Sequence, residues 1–467
     1  MKKIYGLLIG LAAMFMASSC DDQLDIVPKG KTIFTTVEEL ESLINQQWRI
    51  YDWDMTYNII CNQTVPYNDI EEVYNVTNSL EHAWFFCDEK VDRADLTDND
   101  ARYSEIYEHI YYLNIIISKI NDVSGDDALK TRLAAEARVL RAWYHFLLVN
   151  FYAEQYDEAT AAEKGGVAYV DNTNSGEQKT KLSIAAVYDK ILEDCSDDVL
   201  SKLKQAPDND PCRFEVDFGY GVRARVLFQM KRYEEALTYA RKAIAVNSNI
   251  DNRSSILTNG TWEKPFDSGD VYLFINSNSI VNWCTLSMVV LSEELMSLFE
   301  EGDYLKDYSP YYEWTTDEDL SIGLSGVVKY NGSAARVNVF GIDAEQMFYV
   351  AGESLILTGH IDEGLDMVDR VRVNRIHPDY YRPFKGTVKT EKDAMALLRK
   401  AKRVEFLINY EHFFDCKRLN STPAYAETIV RDCGKYGTRS LSPTSPLWIY
   451  PFPMDATNYN SSLTQNY

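Results

Sequence analysis

Several features are missing from this sequence, and each absence removes a class of function. No apolar run approaches the roughly 20 residues that a helix needs to cross a bilayer; the run near the amino end extends only from Ile4 to Met16. Positive charge is scarce, with 47 basic residues against 71 acidic ones and a formal net charge of -24. Such a surface repels phosphate backbones, so nucleic acid is excluded as a partner. Histidine is rare, at 82, 109, 145, 360, 377 and 412, and no pair falls in an HExxH or comparable ligand spacing. GxSxG elbows and phosphate loops are missing as well. Past Cys20 the cysteines lie far apart, at 61, 87, 195, 212, 284, 416 and 433, without the CxxC spacing of zinc ribbons or thioredoxin-like sites. They read as buried small hydrophobes, with one disulfide at most.

Carboxylates are plentiful, so pairs at glycosidase separation carry no information, and no catalytic site, cofactor or metal is expected. The acidic runs Asp95 to Asp100 and Asp317 to Asp319 offer hard oxygens but lack the glycine of an EF-hand; they read as solvated loops. Gly219-Tyr220-Gly221 has no βαβ context and reads as a helix start.

What is present begins with an export signal. Lys2 and Lys3, the apolar run and the small residues Ala17, Ser18 and Ser19 precede Cys20, so residues 1–19 are expected to be removed. A cysteine after a small-residue tripeptide resembles a bacterial lipobox, in which the thiol is acylated and becomes the first mature residue. Lipidation is therefore placed on Cys20. Several acyl chains, at ~0.8 kcal/mol per buried CH₂, hold a protein on a membrane without a spanning segment.

Helical periodicity dominates the middle of the chain. From Thr131 to Phe151, Leu133, Ala137, Leu140, Tyr144 and Leu147 or Leu148 share a face, which predicts a long core helix. Tyr103 to Ile120 carries Ile106, Ile110, Leu113 and Ile117 at the same period, and the two helices are expected to pack together. Two later segments repeat each other. Ala224, Leu227, Tyr233, Ala236, Ala240 and Ala243 correspond to Gly352, Leu355, Ile361, Gly364, Val368 and Val371, each pair 128 positions apart. The pattern resembles tetratricopeptide helix pairs, with Gly359 suited to the turn; two generic amphipathic pairs are the alternative. Length alone allows two or three domains or one large helical one. Between the units, roughly 247–340, Asn, Ser and Gly punctuate short apolar pieces such as VYLFI and GVVKY, so loops with a few strands are expected. A second loop-rich stretch runs from Trp48 to Asp100.

The chain holds 32 Tyr and 8 Trp, with clusters at Trp48, Tyr51, Trp53 and Tyr57 and at Tyr308, Tyr311, Tyr312 and Trp314. Flat apolar plates with a polar edge suit the C–H faces and hydroxyl rims of sugars. Loops on a rigid scaffold are where such groups can reach solvent. Trp84 and Trp314 are the leading candidate ligand platforms, with Trp53, Trp283, Tyr311 and Tyr312 beside them; Trp143, on the long helix, is assigned to packing.

Five segments in order resemble the SusD/RagB-like nutrient-binding lipoproteins of Gram-negative bacteria. They are CDDQLDIVPKG followed by VEELESLINQQW, EARVLRAWYHFLLVNFYA, AEQMFYVAGESLILTGHIDEGLDMVDRVRVNR, AKRVEFLINYEHFFDCKRLN with its Phe-Asp-x-Lys-Arg ending, and LWIYPFPMDATNYNSSLTQNY. The resemblance implies a mostly α fold for residues 20–467 as a single domain. In that domain a helical scaffold at roughly 101–247 and 341–420 carries loop-rich ligand regions at roughly 48–100 and 248–340. It further implies four tetratricopeptide-like units, no catalysis, and surface display directed by Asp21, Asp22 and Asp25. The implied role is to bind oligosaccharides at the outer membrane and pass them to a SusC-like TonB-dependent transporter. A peptide-binding member of the family and a protein-binding scaffold are the alternatives. The tail departs from the family in lacking the usual Asn-Pro prolines.

Overall fold

Helix α1, Val37–Glu41, opens with a capping box: the Thr36 side chain accepts from the Glu39 amide and Glu39 reaches back to the Thr36 backbone, satisfying two orphan donors. In the computed structural model the described residues are 34–45, 49–66, 78–174, 176–206, 213–259, 269–277, 289–308, 312–314, 328–330 and 338–467. Short helices α2, Tyr57–Ile60, and α3, Leu80–Phe85, follow. The two long helices stand where periodicity puts them: α4 is Ala101–Lys119 and α5 is Asp127–Tyr152. Helix α5 begins earlier than its apolar stripe because the Asp126 carboxylate accepts from Leu129 N at 2.7 Å and caps it there. The stripe also understates its burial. Every residue from Val139 to Tyr152 is buried, so α5 is a central pillar packed on all sides.

The repeated segments are two antiparallel helix pairs, α7 (Val216–Gln229) with α8 (Tyr233–Val246) and α9 (Ala344–Leu357) with α10 (Ile361–Arg372); between α5 and α7 lies α6, Ile184–Asp194. Helices α11, Glu391–Glu405, and α12, Glu411–Asn420, complete the frame. No described helix is long and apolar enough to cross a membrane.

Sheet is sparse. A four-stranded sheet has the order β1 (Thr64–Pro66), β2 (Val289–Leu291), β4 (Val328–Tyr330), β3 (Tyr312–Trp314), all antiparallel. It joins the two loop-rich stretches expected from the sequence. Ile50–Tyr51 also pairs, in parallel, with Asn276–Ser277, and a hairpin of β5 (Ile429–Asp432) and β6 (Thr438–Leu441) lies near the carboxyl end. One apolar cluster runs from Val37 to Leu463 and contains most of α5; a smaller one lies between α9, α10 and α11.

Candidate functional site

The frame that carries any site is locked by buried charge. Arg418 donates to Glu353 at 2.7 Å and to Asp415 at 2.9 Å. Lys402 lies 2.7 Å from Asp415 and 3.2 Å from Glu411, and Arg225 lies 3.1 Å from Glu411. Three cations and three carboxylates thus neutralise one another between α7, α9, α11 and α12. Burial alone would raise the Asp415 pKa, but Lys402 and Arg418 outweigh it and hold the carboxyl well below its usual range. A second knot joins Arg375 to Glu345 at 2.9 Å and to Glu405 at 2.7 Å, with Arg253 3.1 Å from Glu405. Within AKRVEFLINYEHFFDCKRLN, Lys402, Glu405, Glu411, Asp415 and Arg418 are therefore internal struts. Removing one partner of such a set leaves an uncompensated buried ion.

On the loop-rich side, two of the sequence-predicted sugar platforms are enclosed. Trp53 is 0% exposed, stacked on Tyr51 at 4.7 Å and edge-on to Phe340 at 5.0 Å. Trp84 is 6% exposed with its ring 5.3 Å from that of Tyr450. Neither offers a free face, because α2 and α3 fold inward onto α5 and the carboxyl-terminal segment. Arg431 fixes them there: its guanidinium donates to the carbonyls of Ile59, Ile60, Trp84 and Phe85, capping the last turns of both helices. Tyr51 and Tyr57 are buried as well, and Trp143 is buried, as expected, with its indole N–H donating to Phe340 O at 3.0 Å. Tyr312 and Trp314 lie on β3, at the edge of the four-stranded sheet. Cys20, Trp48, Trp283 and Tyr311 lie outside the described residues.

Acidic loops behave differently from expectation at one point. Asp100 is not merely solvated: it caps α4 by accepting from Tyr103 N and also accepts from Tyr152 OH at 2.5 Å. The described cysteines, 61, 87, 195, 416 and 433, are all free thiols. Burial pushes the Cys416 and Cys195 thiols up to about 12, which keeps them protonated and unreactive.

A cleft of about 580 Å³ opens where the end of α5, the end of α12 and the segment 443–449 meet. That volume suits a small ligand. Gln155, Asn420, Thr444 and Ser445 supply polar wall atoms, while Pro446 and Trp448 supply apolar ones. Lys417 also lines it, 4% exposed, its ammonium donating to Asn150 O and, at 2.7 Å, to Ala153 O. Burial pushes the Lys417 amine down to about 7 against the pull of Glu154. The carboxylates of the wall have their own cations, Glu154 with Lys164 at 2.8 Å and Asp157 with Lys231 at 4.0 Å. Sequence reading quoted Lys417 as part of a motif and missed this role, because the cleft forms from segments far apart in the chain.

Comparison with known proteins agrees with this architecture. Residues 23–204 match the SusD-like family described as starch-binding and associating with the outer membrane. Among solved structures, a SusD superfamily protein from Bacteroides thetaiotaomicron superposes with a TM-score of 0.71 at 17% identity, covering 93% of this chain and 100% of that one. A SusD-like carbohydrate binding protein from Bacteroides vulgatus gives 0.66 at 14% identity, covering 93% and 98%. Another from Bacteroides fragilis gives 0.64 at 15%, covering 92% and 98%. No protein of curated function matches the sequence. The amino-terminal part of the chain is thus matched by that family, and its mostly α fold is shared with SusD superfamily structures over nearly its whole length.

Proposed function

We propose that this chain is a cell-surface lipoprotein, anchored through Cys20, that binds oligosaccharides and delivers them to a SusC-like TonB-dependent transporter. The observation that carries the reading is the match of residues 23–204 to a family described as starch-binding and associating with the outer membrane. Similar structures from Bacteroides vulgatus and Bacteroides fragilis, described as carbohydrate binding proteins, point the same way. Tyr312 and Trp314, on the edge strand β3 of the four-stranded sheet, are proposed as the centre of the ligand platform, with Tyr311 and Trp283 beside them. Trp53 and Trp84 act as support for the loops that carry ligand.

Calorimetry of the mature protein against a panel of oligosaccharides and peptides tests this. Tyr312→Ala combined with Trp314→Ala is expected to weaken glycan binding tenfold or more while moving Tm little. Unchanged affinity in that variant rejects the platform, and binding of peptides alone favours the peptide alternative. Metabolic palmitate labelling is expected to vanish in Cys20→Ala.

A further inference from the structure

We infer that the cleft at the end of α5 is a separate site for a small acidic sugar, its carboxylate meeting the ammonium of Lys417. An ammonium has three donors, and Lys417 spends two on the carbonyls of Asn150 and Ala153. Among the described residues no carboxylate lies within ion-pair distance of it, whereas Lys164 and Lys231 are matched with Glu154 and Asp157. Among the described residues Lys417 is thus a cation of the cleft wall with no ion-pair partner. A buried charge held by two carbonyls and the Phe413 ring face, 5.6 Å away, with no carboxylate in contact is costly, and an incoming anion offsets that cost.

The surroundings decide which anion. Glu154 and Asp157 flank the opening with Lys164 and Lys231 beside them, so the single positive charge left on Lys417 answers one carboxylate and not a dianion such as phosphate. A lone ammonium also lacks the two-pronged geometry with which guanidinium groups hold phosphate. Thr444, Ser445, Asn420 and Gln155 can exchange hydrogen bonds with hydroxyls, and Pro446 with Trp448 supplies an apolar wall. Together these fit a uronic acid, alone or at the end of a short chain. The cleft is built from α5, α12 and the 443–449 segment, not from the β3 side, so this inference does not depend on the platform proposed above.

The test is calorimetry of the intact mature protein with D-glucuronate and D-glucose as probes. Glucuronate is expected to bind at least tenfold more tightly than glucose, and Lys417→Met to abolish that preference in a variant that still folds. Glu154→Gln, which removes the nearest negative charge, is expected to tighten glucuronate binding severalfold. Lys417 also caps the end of α5, so a second measurement uses the unaltered protein: with ¹³C-labelled lysine, glucuronate should shift the Lys417 signal and raise its titration midpoint. Trp314→Ala should leave glucuronate affinity unchanged, which separates failure of this site from failure of the platform. Equal binding of the two sugars, no binding of either, or a Lys417 resonance indifferent to glucuronate overturns the inference.

Discussion

In the pair α7–α8 the turn residue is Lys231, with φ of 61°, and the helices meet over Ala224 and Ala236; in α9–α10 the matching positions hold Gly359, with φ of 87°, Gly352 and Gly364. Both turns make the same bonds. Arg232 N donates to Leu227 O at 2.9 Å and His360 N to Leu355 O at 2.8 Å, while Lys231 N reaches Phe228 O and Gly359 N reaches Ile356 O. This is the double helix-end closure that usually selects glycine. One unit accepts a lysine there because its ammonium is anchored on Ser421 O at 2.9 Å. The seams differ more. A Cβ at Gly364 would stand 2.5 Å from the carbonyl oxygen of Gly352, so α9 and α10 touch backbone to backbone, whereas an alanine methyl separates the first pair.

The matched positions also differ in charge. Arg225 corresponds to Glu353, and the two enter one ion network from opposite sides with opposite signs. Asp217 corresponds to Glu345. Glu345 is met by Arg375 at 2.9 Å, while Asp217 is met by backbone amides and Asn247, and burial pushes its carboxyl up to about 6. A repeat can therefore keep its backbone while its polar positions are rewritten, provided that each buried charge is answered somewhere.

Breaking the charge side of the comparison should cost most. Glu353→Ala leaves Arg418 and Lys402 short of counter-charge and is expected to lower stability by about 3–5 kcal/mol in denaturant unfolding. Next comes the seam: Gly364→Ala should cost about 3 kcal/mol, because the clash outweighs a helix-propensity gain of about 0.5–1 kcal/mol. Ala236→Gly, the same exchange reversed in the other unit, should cost only about 1 kcal/mol. The Asp217 contrast is read by pH. Its folded-state pKa is raised, so the folded protein binds the extra proton and stability falls as pH rises from about 4 through 6, by about 2 kcal/mol. Unfolding midpoints of Asp217→Asn should lose that decline, and a variant that tracks the wild type removes this account of the residue. Smallest is the turn, where Gly359→Ala should cost about 1 kcal/mol for a left-handed residue, measured by the shift in midpoint at constant m value.

How much of this was legible depended on the kind of signal. The 128-residue repeat, the turn at Gly359 and the faces of α4 and α5 follow from periodicity, which is local and strong. Two of the aromatic candidates turned out differently. Trp53 and Trp84 sit in segments with loop composition, yet α2, α3 and the Arg431 clamp draw them into the core. Nothing in a run of Tyr, Trp, Asn and Asp tells whether its ring faces water or α5.

By itself, then, the order of residues determined the helical frame and its internal repeat, since spacing, caps and small residues act within a few turns of chain. Only tertiary structure decided which aromatics are enclosed, which charges are struts, and that Lys417 stands in a cleft with no carboxylate partner among the described residues. Burial and charge pairing are set by segments hundreds of residues apart, and free energies of desolvation exist only once those segments have met.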